Sequence, residues 1–205
     1  WYNENLETRW YMIPSLVAAL SMLQTLMLTA LSVAREREQG TFDQLLVTPL
    51  RPSEIMVGKA VPPIFIGLAQ STIILLIALF WFGIPFAGSY LTLYTLLLVF
   101  TIASVGIGLA ISAYSANMQQ AMLFSFVLLM PMMLLSGLAS PVKNMPEILQ
   151  TITFANPLRH AIEAVHRVYL EGAGFGTIFN NIWPLGVIGS VTLPTAAWLF
   201  RHRLV

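Results

Sequence analysis

The sequence predicts an all-α, polytopic helical membrane protein, and two observations carry that prediction. Asp, Glu, Lys and Arg make up only 9% of its 205 residues, while 57% are hydrophobic; an ordinary soluble domain carries about 25% charged residues. Residues 11–34, 60–142 and 172–200 contain none of those four residue types. A spanning helix needs about 20 mostly apolar residues, so the three stretches hold five candidate spans, with three in the longest.

Residues 1–11 read as the end of an external segment. They lack the basic flank and small-residue cleavage site of a secretory signal. Span A covers 12–33, with Pro14 near its start, where a missing backbone donor costs little. A charged loop follows at 34–59. Span B covers 60–82, and Pro62 and Pro63 predict a distorted first turn. Span C, 90–113, contains Gly106 and Gly108 beside Ala103, Ser104 and Ala110, small residues that let helices approach closely. Span D covers 121–138 and is rich in Met and Leu. Between 139 and 175 the breakers Pro141, Pro146 and Pro157 predict short or re-entrant external helices, over 145–154 and 157–170. In the second, Leu158, Ile162, Val165 and Tyr169 share one face. Arg159, Glu163 and Arg167 recur every fourth residue on another, as in an interfacial helix. Span E covers 182–200, with Trp183 and Trp198 as interfacial anchors, and 201–205 form a tail.

Basic residues near span ends orient such a chain, the richer side being cytoplasmic. With the 34–59 loop inside, Arg35, Arg37, Arg51, Lys59, Arg201 and Arg203 are cytoplasmic. Arg9, Lys143, Arg159 and Arg167 are then external. The tail falls inside and the 139–175 region outside.

The loop AREREQGTFDQLLVTPLRPSEIMVGK concentrates eight charged residues between two uncharged stretches. Gly40 is suited to ending the preceding helix. Thr41 caps a new one, with Gln44 as its reciprocal partner. Phe42, Leu45 and Leu46 share a face, Asp43 and Gln44 lie elsewhere, and Pro49 stops the helix after Thr48. Two readings stand side by side: a surface helix on lipid headgroups, or a docking knob for a cytoplasmic partner. Glu36 and Glu38 pair with Arg35 and Arg37 or meet that partner.

Several function classes find no support. The mixed signs in the loop make no nucleic-acid patch. There is no cysteine, no phosphate loop, and no nucleophile elbow. His160 and His166 do not share a helical face and stand away from any metal-ligand cluster. His160 reads as a packing residue. The core spans carry no carboxylate of the kind a proton-coupled pump uses. Expectations follow of no enzymatic activity and no cofactor or metal on this chain.

The run VAREREQGTFDQLLVTPLRPSEIMVGKAVPP resembles the cytoplasmic region of permease subunits of type-2 ATP-binding-cassette (ABC) exporters. It carries Arg37 and Glu38, Gly40 and Thr41, Gln44 to Leu46, Thr48 and Pro49, then Glu54, Gly58 and Lys59 in the family's order. The leading WYN with Pro14, and ANPLRHAIEAVHRVYLEG with Asn156, Pro157 and His160, match two further family segments. The resemblance is closest to the drug-export branch. It implies six spans with an external domain between the first two, so that this chain is the C-terminal part of a longer permease. It implies a bacterial inner-membrane protein that forms homo- or heterodimers in the lipid bilayer above cytoplasmic ATPase subunits, which bind the ATP and Mg. The helix at 41–48 becomes the coupling helix, with Glu38 beside it. The 141–170 region closes the outer end of the pathway. The implied function is export of a hydrophobic or amphipathic substrate, with a non-transporting assembly or anchoring subunit as the alternative.

Overall fold

The computed structural model describes residues 8–41, 52–138 and 142–202. Their regular elements are all helices. In chain order these are α1 (Thr8–Glu38), α2 (Pro52–Phe80), α3 (Tyr90–Tyr114), α4 (Met118–Leu134), α5 (Glu147–Ile152), α6 (Pro157–Glu171) and α7 (Phe175–His202). Short 3-10 turns at Val142–Asn144 and Thr153–Ala155 flank α5.

Four of these helices, α1, α2, α3 and α7, are long and apolar enough to cross a membrane. The stretch expected as span D is shorter than its expected bounds. Its helix α4 has 17 residues with Pro131 inside, and gives way to a turn where Gly137 takes φ 92°. At about 1.5 Å per residue, α4 is ~26 Å long, under the ~30 Å of a hydrocarbon core. The expected distortion at Pro62 and Pro63 also takes another form. The helix begins ten residues earlier than Pro62, at Pro52, and runs through both prolines. Lacking amide hydrogens, they leave the Gly58 and Lys59 carbonyls without their helical donors.

The centre of the bundle is α3, which packs on α1, α2, α4, α6 and α7, most extensively on α7 and α1. Leu93, Leu96, Leu97 and Phe100 of α3 join Val17, Met22 and Leu26 of α1 and Leu158, Val165 and Tyr169 of α6 in one core. Gly106 and Gly108 sit on different seams of α3. A Cβ at Gly106 would collide with the Thr192 side chain of α7. One at Gly108 would lie 2.8 Å from Thr29 Cβ and 2.9 Å from the Leu26 carbonyl oxygen of α1. The periphery is apolar: Phe65, Ile73 and Phe80 of α2, Leu123 and Val127 of α4, and Val187 and Val191 of α7 are all exposed. That surface suits hydrocarbon rather than water.

The helix α6, expected as interfacial or re-entrant, has its apolar face covered by protein. Its Leu158, Ala161, Ile162, Val165 and Tyr169 are buried against α1, α3 and α7 rather than laid on lipid. The polar stripe Arg159, Glu163 and Arg167 is the face left outward.

Candidate functional site

The charged end of α1 leads into the loop expected to dock a partner. Phe42, Asp43, Gln44, Leu45, Leu46 and Thr48 of that loop lie outside the described residues; Glu38 and Thr41 lie within them. Gly40 ends α1 with φ 68°. Its amide donates to the Arg37 carbonyl at 3.2 Å, and the Thr41 amide to the Glu36 carbonyl at 3.0 Å. These paired bonds form a Schellman stop, which needs a residue in the left-handed region where glycine pays no Cβ penalty. The Thr41 hydroxyl also donates to the Glu36 carbonyl, at 3.4 Å.

The last three residues of α1 each reach a different helix. Glu36 pairs with Lys59 of α2, whose ammonium also donates to Ser32 Oγ at 3.5 Å. Arg37 Nη1 donates to the Ala113 and Ser115 carbonyls, both at 3.0 Å, where α3 ends. Glu38 Oε2 accepts the Met118 amide at 2.9 Å, where α4 begins. A cation thus meets a helix C-terminus and an anion a helix N-terminus, the signs that the helix dipole favours. The hydroxyl of Ser112 accepts the Val33 and Ala34 amides at 3.1 and 3.3 Å, closing α1 on α3. Asn117 caps α4 by accepting from the Gln120 amide at 2.8 Å, and Gln120 Oε1 accepts from the Ala116 amide at 2.8 Å.

Glu36 and Glu38, expected to pair with Arg35 and Arg37 or to meet a partner, thus also hold long-range contacts, to Lys59 and to the Met118 amide. Glu36 Oε2 is buried without a hydrogen-bond partner among the described residues. A cleft of about 550 Å³ opens beside it, lined in part by Arg35, Glu36, Thr41, Lys59 and Pro62.

At the opposite end of the bundle Asn156 holds two elements. Its Oδ1 accepts the Leu158 amide at 3.0 Å, capping α6. Its Nδ2 donates to the Met132 carbonyl of α4 at 2.7 Å. Pro157 takes the first turn of α6, where its missing amide is harmless. His160 is buried, and its Nε2 lies 2.9 Å from the Phe154 carbonyl oxygen.

A second cluster was not among the expected sites. His166 Nε2 lies 2.7 Å from Ser15 Oγ and 2.9 Å from the Tyr11 carbonyl oxygen. The Tyr11 and His166 rings meet edge to face at 4.5 Å, and the Tyr11 hydroxyl donates to the Gly137 carbonyl at 2.6 Å. Burial lowers the His166 pKa, opposed by its contact with the Tyr11 carbonyl. On the same helix the Tyr169 hydroxyl donates to the Ile84 carbonyl at 3.1 Å. Burial, with a smaller contribution from Tyr90, pushes its pKa up to about 12. Nothing local in the sequence marks Tyr11 or Ser15 as partners of a histidine some 150 residues away. Among the described residues no group of three His, Cys, Asp or Glu is placed to hold a metal.

Comparison with known proteins adds a second line. A family model described as "ABC-2 type transporter" matches residues 2–170. The whole chain aligns at 44% identity with the "Probable multidrug ABC transporter permease YbhR" of Escherichia coli, covering 56% of that protein. At 30% identity, 99% of the chain aligns with 54% of the E. coli "Inner membrane transport permease YhhJ". At 29%, 84% of it aligns with 46% of the E. coli "Probable multidrug ABC transporter permease YbhS". The chain therefore spans about half the length of the curated relatives it matches.

Proposed function

The chain belongs to the ABC-2 type transporter family of membrane proteins, and from that premise we propose that it is the membrane part of an exporter permease driven by ATP on a separate subunit. The cargo class is a hydrophobic or amphipathic molecule: a drug, a lipid or a lipid-linked compound. The names of two relatives, which include the word multidrug, favour it, and the absence of charge along residues 60–142 is compatible with it.

The observation that carries the reading is the junction at Glu36, Arg37 and Glu38. The loop expected to meet the ATPase leaves α1 directly after three residues bound to α2, α3 and α4. A displacement of that loop is thereby passed to four helices at once. In this reading residues 34–59 face the cytoplasm of a bacterial inner membrane, and the coupling helix at 41–48 presents Phe42, Leu45 and Leu46 to the ATPase. ATP and Mg bind there, not on this chain. The short α4 makes a fifth crossing with its flanking turn. Asn156, Pro157 and His160 brace the outer end of the pathway, two permease copies or a pair of related permeases form the conduit, and ATP binding shifts a two-state balance between inward and outward arrangements.

The test is co-purification of the full-length permease with its co-expressed ATPase, followed by ATP hydrolysis in proteoliposomes. Replacing Leu45 and Leu46 with Asp is expected to abolish association while the permease still folds and inserts. Association and coupling that persist in the double variant would refute docking through that face.

A further inference from the structure

Between α6 and the first half of α7 lies a cleft of about 670 Å³. It is lined by Arg159, Glu163 and Arg167 from α6 and by Asn181, Trp183, Val187 and Ile188 from α7. Asn181 adds an uncharged polar group to the cleft. It is only 5% exposed and lines the cleft, yet its carboxamide makes no hydrogen bond among the described residues. Its polar atoms are not among the buried groups left without a partner, so the carboxamide is open to the cleft and free to bond a ligand there.

The charged groups beside it retain capacity. Arg159 uses Nη1 on the Gln150 carbonyl and on Thr153 Oγ1, and its guanidinium lies 4.2 Å over the Phe154 ring. Arg167 Nη2 donates to Glu163 at 2.6 Å. A guanidinium carries five donors, so both arginines hold donors beyond these bonds. Two guanidiniums against one carboxylate leave the charged lining positive. Pro184, on the cleft wall, removes the helical donor of the Asn180 carbonyl.

A second part of the lining is of the opposite character. Trp183 and Val187 are about half exposed and run on into exposed Val191 on the membrane-facing side of α7. Trp at such a level marks the headgroup depth of a bilayer. A free anion would leave this wall unused, and an uncharged amphiphile would leave the guanidiniums and Asn181 unmet.

We propose that this cleft binds a membrane amphiphile with an anionic phosphate headgroup. The phosphate sits against Arg159, Arg167 and Asn181, and the first part of an apolar chain lies along Trp183, Val187 and Ile188. Arginine forks suit phosphate oxygens in charge and geometry. The proposal needs only that α6 and α7 meet at a bilayer surface. It stands apart from ATP coupling, so loss of one leaves the other intact.

The test uses the full-length permease in nanodiscs of phosphatidylcholine doped with a photoreactive phosphatidylglycerol, whose diazirine sits near the top of its acyl chain. Mass spectrometry of the irradiated protein should place label within 183–188. Unlabelled phosphatidylglycerol should compete; inorganic phosphate should not. Asn181→Leu and Arg167→Gln should each lower labelling several-fold. Glu163→Gln should raise it several-fold, because it lifts negative charge from the cleft and releases Arg167, a gain that a misfolded variant would not produce. Equal labelling by a phosphatidylcholine analogue, or labelling indifferent to all three substitutions, would overturn the proposal. Competition by inorganic phosphate alone would overturn the amphiphile and reassign the cleft to a free anion.

Discussion

The carboxylate of Glu38 accepts the backbone amide of Met118 at 2.9 Å, so the last residue of α1 sits on the first residue of α4. An anion at a helix N-terminus is worth about 0.3–1 kcal/mol when exposed, and Glu38 is exposed. Glu38→Ala, which removes the acceptor, is therefore expected to leave global stability nearly unchanged while the Met118 amide loses protection. Hydrogen exchange on the reconstituted protein reads this directly. Unaltered exchange at Met118 would mean that the contact does not hold α4.

The Glu36–Lys59 pair predicts a sign rather than a size. Both side chains are largely buried, at 26% and 14% exposure, and Glu36 Oε2 already lacks a partner among the described residues. Lys59→Met strands the carboxylate, at a cost of roughly 1–3 kcal/mol. The double variant Lys59→Met/Glu36→Met removes the stranded charge and is expected to recover part of that loss. Thermal unfolding in detergent gives the order wild type, double variant, single variant. A double variant weaker than the single one would contradict it.

Two glycines, one packed and one in open space, should behave oppositely. At Gly108 a side chain meets the Thr29 Cβ at 2.8 Å and the Leu26 backbone oxygen at 2.9 Å. Gly108→Val is expected to push α3 off α1 and cost about 1–3 kcal/mol. Nothing lies within 4 Å of a Cβ at Gly186, inside α7. There Gly186→Ala should be neutral or stabilising by up to ~1 kcal/mol, since Gly is the poorer helix former. Melting temperatures of the two variants, compared with wild type, separate these outcomes.

The lowered pKa of His166 ties the α6 end of the bundle to pH. The imidazole meets Ser15 and the Tyr11 carbonyl, and burial opposes its charging. Tyr11, Glu163, Arg167 and Glu171 share its cleft. Unfolded histidine titrates near 6.5, above the folded value, so the unfolded chain binds the extra proton first. Stability is then complete above pH ~6.5 and falls as the pH drops from there towards the folded pKa. His166→Gln should flatten this part of the stability profile. A wild-type profile that rises on acidification through the same window would reverse the assignment.

Much of this protein is legible in its sequence. Uncharged runs of spanning length fall on α1, α2, α3 and α7, because a bilayer forces each crossing to be apolar and helical by itself. Gly40 as the stop of α1, and Asn156 followed by Pro157 as the start of α6, are local events set by backbone conformation and by groups a few residues apart. Composition also foretold the exposed apolar perimeter.

Tertiary structure alone decided the partners. Glu38 and Met118 are 80 residues apart, and Ser15 and His166 are 151 apart. Gly106 and Gly108, two residues apart, serve different helices because successive positions on α3 turn by roughly 100°. The amphipathic stripe of α6 specified that its apolar face would be covered, but not by what. Lipid and neighbouring helices are equally apolar, so the pattern cannot choose between them. Space left by α1, α3 and α7 made the choice, and with it set the polar stripe of α6 against Asn181.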